Sequence, residues 1–335
     1  FAGGASPYGA LTDMDFKAQD NTGKQGNGAF KLKKLGFSGD FYAAIMLGLS
    51  EVAKQEAESG NKSPEAKKVA EGLRQSVAEA AKDLKLKDFK LELAGFDIDV
   101  PPSKDSKSKD RVKLAIASFT GELGRFVNLS PTRLDFALTN FTLPLPAKAP
   151  DPGTQMLKDM GIDTLDLTQK VKANWDEAKQ RFMIEEISGD VAKLAKVTLK
   201  GELGGIPRAL FENPVTNWPV VMMGGNVQNV SVQIENRGGL DKLIAKAAAD
   251  QKKSPEQFKM EMSGFAPIVI AGAMGQHPDA GPLAEAVSKF IKTPGMLSVK
   301  AIANVPTGIT VMDFSAASQN PSVLLQKVKI EASAK

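Results

Sequence analysis

One imidazole and no thiol are available for chemistry in this chain of 335 residues. The imidazole is His277, in Gly275-Gln276-His277-Pro278-Asp279. A histidine two residues from an aspartate can serve as a general base oriented by a carboxylate. In a Gly/Pro turn between helical segments it reads instead as a surface residue without a chemical task. With one His and no Cys, thiolate nucleophiles, zinc knuckles, haem thiolates, iron–sulfur clusters and multi-histidine metal sites are excluded. No serine stands in a Gly-x-Ser-x-Gly elbow, and no glycine-rich stretch has the setting that cradles phosphate. Carboxylate pairs remain. Asp97 and Asp99 alternate on an expected strand, and Asp163 and Asp166 fall close together in a loop. Such pairs can bind calcium or act as acid and base. The first pair lies on the polar side of an amphipathic strand, which reads as a solvated face. A hydrolase using carboxylates alone is therefore the least supported class, and no catalytic residue, metal or cofactor is assigned.

The apolar segments carry more information. Residues 41–49 are apolar almost all round, with Phe41, Ile45 and Leu49 at helical spacing. Residues 265–274, with Phe265, Ile268, Ile270 and Met274, are their counterpart in the second half. A helix of that kind is buried on several sides or lines an apolar groove. These seven residues are the expected ligand-binding set. Trp175 and Trp218 read as core or edge packing rather than as ligand stackers.

Elements must position these segments. Strands are expected over 13–18, 30–35, 89–93, 96–100, 112–117, 134–143, 168–173, 181–187, 196–203, 227–235, 296–303, 309–314 and 324–332, where apolar residues alternate. The alternation slips near Asn140, which suggests a bulge. Helices are expected over 41–57, from Ser63-Pro64-Glu65, over 154–160, after Gly238-Gly239, from Ser254-Pro255-Glu256 and over 282–291. The repeated Ser-Pro-Glu start suggests an internal duplication, 29–100 against 227–314. The proline-rich stretch 144–152 divides the chain into an N-terminal α+β half (1–150) and a C-terminal α+β half (151–335). The fold class is α+β, an extended curved antiparallel sheet with two helical insertions packed on one face.

Composition bounds the partners. Hydrophobic residues are 42% and aromatics 6%, so the core is aliphatic. The formal charge is +4, from 43 basic and 39 acidic residues that are interspersed, which speaks against nucleic acid. No apolar run reaches the ~18 residues that span a bilayer. The chain begins at Phe1 rather than Met, consistent with removal of a signal peptide or an N-terminal anchor. The four Asn-x-Ser/Thr triplets, at Asn61, Asn128, Asn140 and Asn229, read as chance.

Several phrases resemble segments of uncharacterised proteobacterial envelope proteins. They are Gly161-Ile-Asp-Thr-Leu-Asp-Leu167, Trp175-Asp-Glu-Ala178, Leu199-Lys-Gly-Glu-Leu-Gly204, Gly239-Leu-Asp-Lys-Leu243 before Ser254-Pro255-Glu256, and Phe290-Ile-Lys-Thr-Pro-Gly-Met-Leu297. The resemblance covers about residues 155–330. It implies a periplasmic location, exported or N-terminally anchored, and many antiparallel strands. The expected function is non-enzymatic: an apolar groove between sheet and helices that holds a lipid or other hydrophobic molecule, with peripheral membrane or envelope-protein contact. The alternative is a scaffolding subunit of an envelope complex with a filled core and no ligand.

Overall fold

A computed structural model describes residues 8–18, 28–38, 88–102, 110–128 and 130–335. The helices expected over 41–57 and from Ser63, and the superposition of halves that depends on them, lie outside these residues. The strands are β1 (Tyr8–Ala18), β2 (Gly28–Ser38), β3 (Phe89–Val100), β4 (Val112–Val127), β5 (Ser130–Pro144), β6 (Thr164–Asp176), β7 (Arg181–Val191), β8 (Ala195–Gly204), β9 (Asn226–Asn236), β10 (Met296–Ala303), β11 (Ile309–Thr310) and β12 (Val328–Ala334). The described helices are α1 (Pro152–Asp159), α2 (Arg208–Glu212), α3 (Pro214–Gly224), α4 (Gly239–Asp250), α5 (Pro255–Met274), α6 (Ala280–Lys292), α7 (Val311–Gln319) and α8 (Ser322–Leu325). The fold is α+β. One antiparallel sheet runs β1 to β10 in sequence order and then β12, with β11 paired to β9. β5 hydrogen-bonds to β6 across the proline-rich stretch, so the sheet passes through that point without a break.

The meander turns are tight where the sequence tolerates positive φ. Asn128, Gln180 and Lys193 have φ of 53°, 50° and 66° in the β4–β5, β6–β7 and β7–β8 connections. Helix starts follow capping chemistry. Ser254 and Gln257 form a reciprocal capping box at α5, with Pro255 in the first turn. Thr310 and Asp313 form another at α7. Asp151 caps α1 and Asn213 caps α3.

Two expected strands are corrected by these caps. Residues 309–314 contain only the two-residue β11, because the Thr310–Asp313 box starts α7 at once. Within 324–332, Leu324 and Leu325 close α8 and β12 begins at Val328. The segments 89–93 and 96–100 form one strand, β3, that turns over at Gly95, φ +59°.

Helices gather at the two ends of β6–β10. At one end α2 and α3 bring Phe211 and Val221 onto Trp175 and Val127. The Trp175 and Phe211 rings lie 4.6 Å apart, and the Trp175 indole donates to Ile206 O at 2.9 Å. At the other end α1 meets α4: Lys242 Nζ donates to Met160 O and Lys246 pairs with Asp159, both at 2.5 Å. From there α5 and α6 form a hairpin. α6 lays Ala286, Phe290 and Val287 onto Leu297, Ala334, Ile234 and Val299 of the sheet.

Candidate functional site

In a regular strand successive side chains point to opposite faces, and directly paired residues share a face. β6 is regular, so Leu165, Leu167, Gln169, Val171, Ala173 and Trp175 lie on one face. Their partners in β5 are Leu143, Phe141, Leu138, Phe136 and Leu134. Those partners change from odd to even numbers, and a one-residue slip ought to send half of them to the other face. The extra residue at Thr139–Asn140 prevents this: the register shifts between Leu138 and Phe141, and Asn140 takes φ 46°. The bulge expected near Asn140 is present.

The same correction crosses the sheet in a row. Asp13, Lys33, Gly95, Ala117 and Asn140 stand opposite one another, each at an interruption of the pairing. Alternate members, Asp13, Gly95 and Asn140, have positive φ. On both sides of the row the paired residues are apolar: Leu32 with Phe96 and Ile116, then Leu35 with Leu93 and Phe119. β7 and β9 carry bulges with the same effect. They bring Ile184 and Ile187, and Val227 and Val230, onto the face set by regular β8. One apolar face therefore runs from Leu11 in β1 to Ile330 in β12.

Among the described residues this face is half uncovered. Among the described residues, helices cover it where α6 lies on β9, β10 and β12, and where α2 and α3 meet the strand ends. Leu32 and Ala173 are buried, whereas Phe30, Phe96, Phe119, Phe136, Phe141 and Val171 are only half-buried. Ile187 and Val197, flanking Gly189, are 41% and 44% exposed. Aromatic contacts stiffen it: Phe30 and Phe96 meet edge-to-face at 5.2 Å, and Phe119 stacks on Phe136 at 6.4 Å. The Phe136 ring lies 3.1 Å from the place where a Cβ on Gly121 would stand, so only glycine accommodates it without displacement.

The opposite face is charged and paired. Lys34 meets Glu92 at 2.5 Å, Lys90 meets Glu122 at 3.1 Å, and Lys172 meets Glu185 at 2.8 Å. The Lys172 ammonium holds the Glu185 carboxyl below its ordinary pKa, and Glu185 raises Lys172 in return. Asp99 is lowered first by its hydrogen bond from Arg111, 2.6 Å away, so this aspartate belongs to an ion-pair ladder on the polar side. Exposed pairs of this kind contribute little to stability. Their arrangement keeps charge off the apolar face. Among the described residues no group of three or more His, Asp or Glu is placed to hold a metal ion.

The expected ligand-binding residues are dispersed. Phe41, Ile45 and Leu49 lie outside the described residues. Met274 is buried on α5 and Ile270 half-buried, while Phe265 and Ile268 are 58% and 66% exposed. α5 packs on α6 and α4. Its outward side holds a shallow groove of about 540 Å³ lined by Gln257, Met260, Glu261, Gly264, Phe265 and Ile268.

Two expectations are overturned. Trp218 was expected to pack in the core or at an edge, but it is 55% exposed on α3, beside Pro219 in a helix whose buried side is used by Val221. His277 was expected at the surface, but its side chain is 8% exposed. Nε2 lies 3.0 Å from Leu325 O and 3.2 Å from Val328 O, while Nδ1 accepts from Asp279 N at 3.2 Å. The Asp279 carboxylate accepts from Ile330 N at 2.7 Å. His277 thus fastens the α5–α6 turn to the start of β12.

A family model described as "Uncharacterized protein" matches residues 188–335. The match begins in β7 and takes in β8 to β12 with α2 to α8, overlapping most of the stretch whose phrases resemble uncharacterised proteins. No curated protein matches the chain. No described helix is long and apolar enough to cross a membrane.

Proposed function

We propose that this protein holds a lipid or other hydrophobic molecule against the open apolar face of its sheet, without catalysing a reaction on it. One observation carries the reading: the apolar face stays continuous over β1–β8 although the sequence alternation slips in most of these strands. Each slip falls at a bulge or in the row Asp13, Lys33, Gly95, Ala117 and Asn140, where the pairing is interrupted and every second strand takes positive φ, so the apolar side chains return to the same side. A sheet that merely needed one buried layer under a helix would need such matching only beneath that helix. The face from β1 to β8 is about 35 Å wide, from seven strand spacings of ~4.8 Å. Each methylene of an acyl chain buried there contributes about 0.8 kcal/mol before the cost of immobilisation. Gln169 is the one polar side chain that β6 presents on this face, a point at which a head group or hydroxyl can be held. A periplasmic site of action, with the chain exported or N-terminally anchored, is part of this proposal and is supported by the resemblance to envelope proteins.

The test is extraction of protein purified from bacteria, followed by mass spectrometry of the intact complex and of the extract. The reading expects a lipid in stoichiometric amount that is lost from a variant with Val171→Asp on the apolar face. A protein that neither carries nor rebinds any amphiphile, yet remains folded and captures an envelope protein through this face, would sink it in favour of the scaffolding subunit.

A further inference from the structure

We propose that α3 and α7 together form a foot that inserts into the surface of a lipid bilayer. The choice of bilayer over protein as the occupant rests on the lipid-holding reading. Between Glu212 and Glu235 the chain has no ionisable residue, and α3 occupies the first half of that run. Trp218 is 55% exposed, Met223 77% and, on α7, Met312 79%. Val220, Met222, Val311 and Phe314 extend the patch, and α7 lies against α3. Exposed apolar surface of this extent marks a contact with membrane or protein.

Three features favour hydrocarbon. First, the single acid of α7 is turned away from the patch: Asp313 accepts from Thr310 N at 2.8 Å and pairs with Lys327 at 2.5 Å. Second, the charges at this end of the sheet are neutralised locally. Arg208 is held by Glu177 at 2.7 Å and Glu212 at 2.8 Å, and Lys179 by Asp176 at 3.3 Å. Among the described residues these pairs leave little net charge beside the patch for recognising a charged partner, and a bilayer needs none. Third, the inner side of the same helices continues into the apolar face. Val221 and Phe211 pack on Trp175 and Val127, with Phe182 and Leu203 beside them. The foot and the apolar face thus share one apolar cluster.

The experiment uses vesicles of phosphatidylcholine alone. The protein is expected to float with them and to stay bound in about 1 M salt, where charges are screened within ~3 Å. Trp218 fluorescence should shift to the blue and be quenched by brominated acyl chains, while buried Trp175 stays constant. The variant carrying Trp218→Ser, Met223→Ser and Met312→Ser changes only exposed side chains. Its vesicle affinity should fall at least about tenfold, equivalent to about 1.4 kcal/mol, with an unchanged unfolding curve.

Absence of vesicle binding, binding that requires anionic lipid and is released by salt, or an unaffected variant would each overturn the foot. The lipid content of the purified protein is measured in parallel. Lipid without vesicle binding removes the foot and leaves the ligand reading, and vesicle binding without lipid does the reverse.

Discussion

Gly95→Ala tests the reset of the apolar face at its most constrained point. Gly95 has φ +59°, where an L side chain costs ~1–2 kcal/mol. A Cβ there would stand 2.5 and 2.6 Å from Lys33 Cδ and Cγ, which a rotamer change relieves. It would also stand 2.9 Å from Lys33 Cβ, which only a backbone shift relieves. Overpacking of that kind adds ~1–3 kcal/mol. The expected loss is about 2–5 kcal/mol in urea unfolding, together with increased binding of a hydrophobic dye as Phe96 and Ile98, or Leu91 and Leu93, turn toward the wrong face. Gly189→Ala is the control. It lies in β7 with nothing within 4 Å of its Cβ position and without positive φ, so its effect should stay within about 0.5 kcal/mol. Equal stability of the two variants would refute the argument that the positive-φ row keeps the face continuous.

Phe290→Ala removes the aromatic anchor of α6 from the sheet and is expected to cost about 3–5 kcal/mol in the same assay. His277→Ala leaves the carbonyls of Leu325 and Val328 and the Asp279 amide without their imidazole partner; a loss of about 1–3 kcal/mol is expected, with faster hydrogen exchange at the start of β12. The Asp313 carboxyl, lowered to about 2 first by its hydrogen bond from Lys327, contributes stability that is present above the ordinary carboxylate range and lost as pH falls toward 2. Hydrogen exchange of α7 should therefore accelerate over that acid window in the wild type, and the dependence should flatten in Asp313→Asn. Asn140→Val places a β-branched residue at φ 46° and removes the hydrogen bond to Asp166, so it should destabilise by about 2 kcal/mol while Asn140→Gly costs less.

Most strands were legible because period-2 alternation survives wherever one face is wet. Met296–Ala303 shows this plainly, as do Val230, Val232 and Ile234. The bulge at Asn140 was legible because Phe136, Leu138, Phe141 and Leu143 change parity there. What was not legible was that comparable slips in β1 to β4 fall in one row, since pairing register is set by contacts distant in sequence. α2 and α3 are not legible because Pro207, Pro214 and Pro219 interrupt any helical periodicity there. The usable signal was Asn213 before Pro214, a side-chain cap followed by proline in the first turn. Thr310 three residues before Asp313 carried the corresponding signal for α7, hidden by the β-branched run Ile309-Thr310-Val311. A helix without charges reads as a groove wall, so the sequence points to apolar helices. The structure puts Phe265 and Ile268 on an outward surface, and among the described residues the larger uncovered apolar area lies on the sheet. His277 was misjudged because burial in a turn depends on which later segment, here Leu325 to Val328, folds over it.

Photocrosslinking tests the central claim most directly. A benzophenone side chain is placed in separate proteins at Phe136 and Val171 on the apolar face, and at Ala137 and Lys170 on the opposite face. Irradiation in living bacteria, followed by mass spectrometry of the purified protein, should give lipid adducts from the first pair and none from the second. Adducts at equal yield from both faces, or a polypeptide adduct alone from Phe136 and Val171, would contradict a sheet whose apolar side holds lipid.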